Sequence, residues 1–295
     1  MTLFDKFLRI RELGIFSIIV VFVIVAAIID PRFMTLDSWR AVFLAIPLIL
    51  VMAMGQMMVI ICRHVDISIG SILAFSAIVI GLLYIQFPGL SLWLSLIITA
   101  FVGLVMGLIN GFIVTRFNVH SIIVTLGTLS LYRGLVFIVS GGRQIDRNDI
   151  PEHVVSFSQT SFLFSIPGIL IFSAIIVVIT HLVMRHSVLG REIYATGSNP
   201  VAAHLKGINV TKVTLFCFGI CGMLAGVAGL FYASRFGYVN PGVTGVGIEF
   251  IVIAGVIIGG TSITGGSGSV LGTFLGILLL GLSLIHISEP TRRRT

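Results

Sequence analysis

In a chain of 295 residues, 57% hydrophobic and only 10% charged, too few polar groups remain to coat a soluble domain, so the sequence describes a membrane protein. Its apolar residues come in long runs rather than alternating ten-residue segments, which excludes a membrane β-barrel and predicts an all-α, polytopic transmembrane helical bundle. The formal charge of +7 becomes +5 without residues 282–295, and the cations sit in short loops, a pattern of membrane orientation and not a nucleic-acid footprint.

In chain order, about nine apolar spans are predicted: 14–30, 41–62, 67–86, 91–113, 119–139, 166–184, 214–234, 248–260 and 270 onward. Basic residues precede the first span and no small-residue cleavage site follows it, so it reads as a retained helix. Lys6, Arg9, Arg11, Arg63, Arg116, Arg185, Arg191, Lys206 and Lys212 fall on one side of the membrane; Arg32, Arg40, Arg143, Arg147 and Arg235 fall on the other. That bias predicts a cytoplasmic N-terminus. It places the segment 140–165 outside and the segment 185–213 inside, and leaves no room for a soluble catalytic domain. On the same reading Asp66 sits at an inner helix end and Glu249 at an outer one, while His120 and Arg133 flank the fifth span. Spans so poor in carboxylates argue against ion coupling, which needs acids near mid-bilayer.

Glycines recur every fourth residue at Gly103, Gly107 and Gly111, at Gly222 and Gly226, and at Gly268, Gly272 and Gly276. In lipid this spacing predicts close backbone packing. The segments 60–73 and 257–271 echo one another, each an apolar end, a polar turn and a Gly-Ser restart on the cytoplasmic side. Cys62, Cys217 and Cys221 read as packing residues. Among the few polar groups inside spans, Asn110, Thr125 and Thr128 are candidates for a hydrated translocation path. Asn110, between Gly107 and Gly111, suits equally a hydrogen bond across a helix contact.

Enzyme signatures are missing. There is no H-E-x-x-H, no Cys/His ligand cluster and no Walker A sequence, and the glycine-rich "GGTSITGGSGS" (259–269) lacks the lysine of a phosphate cradle. No metal site or cofactor is therefore expected. The inner loop holds more. In "YATGSNPVAAHLKGINV" (194–210), Ser198 or Asn199 suits a helix cap, Pro200 the first helical position and Gly207 the stop. The short helix between them presents two small residues, Ala202 and Ala203, for docking.

These stretches resemble the permease subunits of carbohydrate-type ATP-binding-cassette importers, which serve ribose, arabinose, xylose, rhamnose and autoinducer-2. The resemblance runs from about residue 14 to 281 and rests on four ordered motifs. "MGQMMVIICRHVDISIGSILA" (54–74) carries Gln56, Asp66 and Gly70; "IIVTLGTLSLYRGLVFIVSGG" (122–142) carries Tyr132 and Arg133. The inner loop is the third, and "IEFIVIAGVIIGGTSITGGSGSVLGT" (248–273), with Glu249, Gly259 and Gly260, is the fourth. The resemblance implies a multi-pass protein of the bacterial inner membrane that is not itself an enzyme. Its partners would be a separate ATPase subunit that uses the ATP, a second permease copy or paralogue, a solute-binding protein and the lipid bilayer, with no nucleic acid. It makes residues 198–207 the element that docks on the ATPase. Within the family, "LYRG", "IYATG", "SRFGYVNPGVTGVGIE" and "GGSGS" look closest to autoinducer-2 permeases, and "MGQMMVI" to rhamnose permeases. The alternative from another class is an ion-coupled secondary transporter.

The closing "LSLIHISEPTRRRT" (282–295) resembles the reading-frame translation of a transposon-based sequencing adapter. The expectation is therefore an incomplete permease domain over 1–281, with further C-terminal helices missing, a foreign tail over 282–295, and no transport by the chain as written.

Overall fold

The computed structural model describes residues 11–159, 161–163 and 166–288. Lys6 and Arg9, counted above among the inner cations, and residues 289–295 of the tail lie outside the described residues.

The chain folds as α1 (Arg11–Ile29), α2 (Leu36–Ile61), α3 (Ile69–Gln86), α4 (Leu92–Phe117), α5 (Ser121–Ser140), α6 (Glu152–Gln159), α7 (Gly168–His186), α8 (Val188–Ser198), α9 (Pro200–Leu205), α10 (Val210–Phe236), α11 (Ile248–Ile258) and α12 (Val270–Ser288). A two-stranded antiparallel ribbon, Ser161–Leu163 against Ile166–Pro167, precedes α7. The nine predicted spans are α1 to α5, α7 and α10 to α12. Six of these, α2, α3, α4, α5, α7 and α10, are long and apolar enough to cross a membrane, and α1, α11 and α12 hold shorter apolar stretches. The architecture is the expected all-α bundle.

Local chemistry sets the ends. Ser91 accepts the backbone N–H of Leu94 at 3.3 Å to start α4, and Asn118, left-handed at φ 52°, ends it. Asn209 caps α10 by accepting from Lys212 N at 3.0 Å, so the helix starts four residues before the predicted start of that span. Left-handed Gly237 closes it.

Burial sorts the helices. Within the apolar windows of α2 and α10, 83% and 78% of residues are buried, against 28% for α4, α5 and α7. So α2 and α10 form the centre. The outer helices leave large apolar side chains such as Trp93, Phe101, Ile123 and Ile179 exposed, a surface suited to lipid and not to water. Two glycine sets meet across the centre. A Cβ at Gly103 would land on the Gly222 carbonyl oxygen, and one at Gly107 on that of Phe218, so α4 and α10 touch backbone to backbone. Gly272 and Gly276 make the same contact with Gly259 and Gly255 and fold α11 and α12 into a hairpin.

Two placements correct the sequence reading. After α10 the chain makes one bridge, Val239 with Ile145, and then turns back into the bundle over residues 240–247. Gly245 and Gly247, at φ 78° and 79°, permit this re-entry; Gly245 also packs on the Gly70 backbone. Helix α11 thus begins deep inside. At 1.5 Å per residue its 11 residues cover about 16 Å, half of a hydrocarbon core. Glu249 is therefore near mid-depth and only 6% exposed, not at an outer helix end. Arg133 does not flank its span either: it lies about 18 Å along α5 from the first residue. Asp66, at 0% exposure, is sealed in as well, so the premise that carboxylates stay out of the apolar body fails at two positions.

Candidate functional site

The inner loop forms the expected short helix. The Asn199 side chain caps α9 by accepting from Ala202 N at 3.0 Å, Pro200 takes the first position, and Gly207 leaves the helix at φ 85°. Ser198 is the last residue of α8 rather than the cap. One docking residue is corrected. Ala203 is turned inward at 4% exposure, because successive residues on a helix point about 100° apart. The outer face carries Ala202 with Val201 and Leu205, which are 70% and 81% exposed. The sequence reading passed over that pair, although apolar residues four apart on a six-residue helix were a visible signal.

This loop is locked to the neighbouring helix ends of the bundle. Arg63, itself at φ 69°, donates Nε to Gly197 O and Nη2 to Ser198 O, the latter at 2.6 Å. Gly266 N donates to Ile61 O at 2.9 Å, and Tyr194 Oη donates to Gly268 O at 2.9 Å. Side chains are excluded at the junction: a Cβ at Gly197 would fall on the Ile61 carbonyl, and one at Gly266 would stand 2.7 Å from Ser198 Cα. The two segments that echo one another in sequence, around 62 and around 262, thus meet in space beneath α8. Gly259 ends α11 against the Gly272 backbone, and Gly260 turns out at φ 86°.

Above the junction lies a buried polar lattice. The Gln56 amide, oriented so that both ends are satisfied, donates to Asp66 O and accepts from Asp66 N, each at 3.2 Å. The Asp66 carboxylate accepts from Ser68 N (2.9 Å), Ser68 Oγ (2.7 Å) and Asn110 Nδ2 (3.2 Å). Asn110 Nδ2 also donates to Ser68 Oγ at 2.8 Å, and Tyr132 Oη donates to Asn110 Oδ1 at 3.2 Å and to Met106 O at 2.9 Å. Three helices are joined to one loop in this way. Thr125 donates to Ser121 O at 2.9 Å and Val65 O at 3.3 Å, and Thr128 to Thr125 O at 3.4 Å. Asn110 and Thr125 are fully buried and Thr128 nearly so. In this conformation they serve helix contacts, not a water-filled surface. Cys62, Cys217 and Cys221 are free and buried beside the lattice. Among the described residues no group of three or more His, Cys, Asp or Glu gathers as metal ligands.

A helical bundle with six helices long and apolar enough to cross a membrane is a polytopic membrane protein. The chain belongs to the family described as branched-chain amino acid transport system / permease component, which it matches over residues 40–290. It is 35% identical over 253 residues, 86% of this chain and 69% of the relative, to the Autoinducer 2 import system permease protein LsrC of Yersinia enterocolitica serotype O:8 / biotype 1B. The proteins of that name from Yersinia pseudotuberculosis serotype O:1b and Yersinia pestis strain Pestoides F are each 34% identical over 86% of this chain and 70% of their own length. No solved structure matches. The chain is thus a multi-pass permease component, a class that conducts a solute and carries no catalytic chemistry of its own.

Proposed function

We propose that this permease is the membrane subunit of an ATP-driven importer of the binding-cassette type, moving a sugar or autoinducer-2 inward across a bacterial inner membrane. Its N-terminus lies in the cytoplasm. A separate ATPase docks on α9, a second permease copy or paralogue completes the passage, and an extracytoplasmic binding protein delivers the solute. The observation that carries this reading is the face of α9: Val201 and Leu205 are an apolar pair held out into water on a helix whose own backbone is capped at both ends. The relatives' import of autoinducer-2 supports that solute or a sugar of similar size.

The mechanism follows from the locks. A push on α9 by the ATPase passes through Gly197 and Ser198 to Arg63, and through Gly266 to the end of α2. From Asp66 it reaches α4 and α5 through Asn110 and Tyr132. Paired hydrogen bonds and backbone contacts transmit displacement without bending, so a shift at the docking helix becomes a rigid-body shift of helices. The buried carboxylates Asp66 and Glu249 favour a second reading, an ion-coupled carrier. The experiment that separates the two is co-purification and uptake with Leu205→Glu and Val201→Glu. Under the importer reading the ATPase is lost while membrane abundance stays. Retained ATPase, or uptake that ignores ATP depletion and collapses with the ion gradient, overturns it.

A further inference from the structure

The buried carboxylate Glu249 and the cation nearest to it, Arg133, stand outside the coupling path just described. The Arg133 guanidinium lies on α5 at about the depth where α11 begins. An arginine this deep ordinarily snorkels to the nearer interface or spends its donors on protein acceptors. Arg133 spends only one of its donors in that way. Its Nη1 donates to Thr244 O at 2.6 Å, on the re-entrant segment, while the side chain stays half-buried. Its other N–H groups have no acceptor among the described residues.

Glu249 supplies the opposite charge. Its Oε1 accepts from Gly247 N at 3.2 Å, and its Oε2 is buried without a partner among the described residues. The two charges are within electrostatic reach, yet no ion pair closes between them within 4 Å. Around Arg133 on α5, a Cβ at Gly127 or Gly134 would meet nothing within 4 Å and Ser130 is exposed, a run of small residues on a face that carries exposed Ile123 and Phe137 at its ends. Val243 and Val246, on either side of Thr244, are exposed too. Hydrocarbon offers no acceptors, so a guanidinium half-open at this depth needs water or a polar guest on its open side.

The geometry points to a solute-contact position on the translocation passage, formed by the Arg133 guanidinium over the re-entrant 240–247 segment with Glu249 as its buried counter-charge. Arginine carries donors only, in a planar fork. Glu249 balances the charge, so the guest the fork suits is a small solute rich in hydroxyl and carbonyl oxygens, and the guanidinium disfavours an ammonium group. The solute class rests on the importer reading; the hydrated position does not.

The test is thiol labelling of the whole chain in membrane vesicles, since the three native cysteines are buried. Ser130→Cys and Gly134→Cys are compared with Ile179→Cys, an exposed apolar position midway along α7. A small charged methanethiosulfonate is expected to modify the first two at least 100-fold faster than the third. Autoinducer-2 or L-rhamnose, at tens of millimolar, should slow labelling of Ser130→Cys several-fold, and glucosamine should not. Arg133→Lys in the Ser130→Cys chain should keep the fast labelling and lose that protection. Equal labelling of all three positions overturns the hydrated position. Protection that survives Arg133→Lys, or that glucosamine gives equally, overturns the contact. ATP dependence of uptake is scored separately: its failure removes the importer reading and leaves the labelling pattern standing.

Discussion

Asn110→Leu separates a structural amide from a path-lining one. The substitution keeps the branched outline of the side chain while adding bulk, and removes one donor to Asp66, one to Ser68 and the acceptor used by Tyr132. The Tyr132 hydroxyl keeps Met106 O, so its loss is small. The Asp66 carboxylate keeps two bonds from Ser68 but loses a donor in a site with no water access. A hydrogen bond to a charged group contributes about 1.5–3 kcal/mol and a neutral one about 1 kcal/mol, which puts the cost near 3 kcal/mol. At roughly 2–4 °C per kcal/mol, the melting temperature of the detergent-solubilised protein should fall by about 6–12 °C. Membrane abundance should fall with it. Tyr132→Phe should cost about 1 kcal/mol, and the double variant should cost less than the sum of the two, because the shared bond is removed only once. The assay is a thermal-unfolding curve followed by intrinsic fluorescence, with immunoblots of the membrane fraction. An unchanged melting temperature with transport abolished would refute the reasoning and return Asn110 to the path.

Gly107→Ala should abolish folded protein, because its Cβ has only the Phe218 carbonyl to occupy, whereas Gly89→Ala, with nothing within 4 Å, should leave abundance unchanged on an immunoblot. Ala203→Glu should lower abundance by burying a carboxylate in a packed face, while Ala202→Glu should leave abundance intact and weaken ATPase co-purification. Arg63→Met should leave the ATPase bound yet reduce solute-stimulated ATP hydrolysis at least several-fold, since it cuts the tie to Gly197 and Ser198 without touching the outer face of α9. For orientation, Asn148→Cys should react with an impermeant maleimide on intact cells and Ser198→Cys only after lysis; both positions are exposed.

Much of this architecture is legible in the sequence because lipid imposes simple rules on it. Each span announces itself by an apolar run, and the glycines at four-residue spacing announce the α4–α10 and α11–α12 contacts. The cap at Asn199 and the stop at Gly207 are equally local. Depth is not local. The run 248–260 gives no sign that its helix starts midway through the bilayer, because apolar content measures solubility and not position. The sign lay in Gly245 and Gly247, whose left-handed turns let the chain re-enter, and a reading that joins spans end to end passes over them. Ala203 was misplaced for a different reason: adjacent residues were treated as one face of a helix. The lattice around Asp66 was illegible because its partners, Gln56, Asn110 and Tyr132, come from separate helices, and only the folded chain brings them together.

The glycine seam between α4 and α10 has a mechanical consequence. Carbonyl oxygens of Gly222 and Phe218 sit in the notches left at Gly103 and Gly107, so the two helices mesh like a rack whose teeth are about one helical turn, or 5.4 Å, apart. Any smaller slip drives an oxygen out of its notch and onto the next stretch of backbone. The seam therefore holds one register or jumps a whole tooth, and a graded displacement has to be taken up elsewhere. The segment 240–247 has turns where its neighbours have continuous helix, so no such rack spans it.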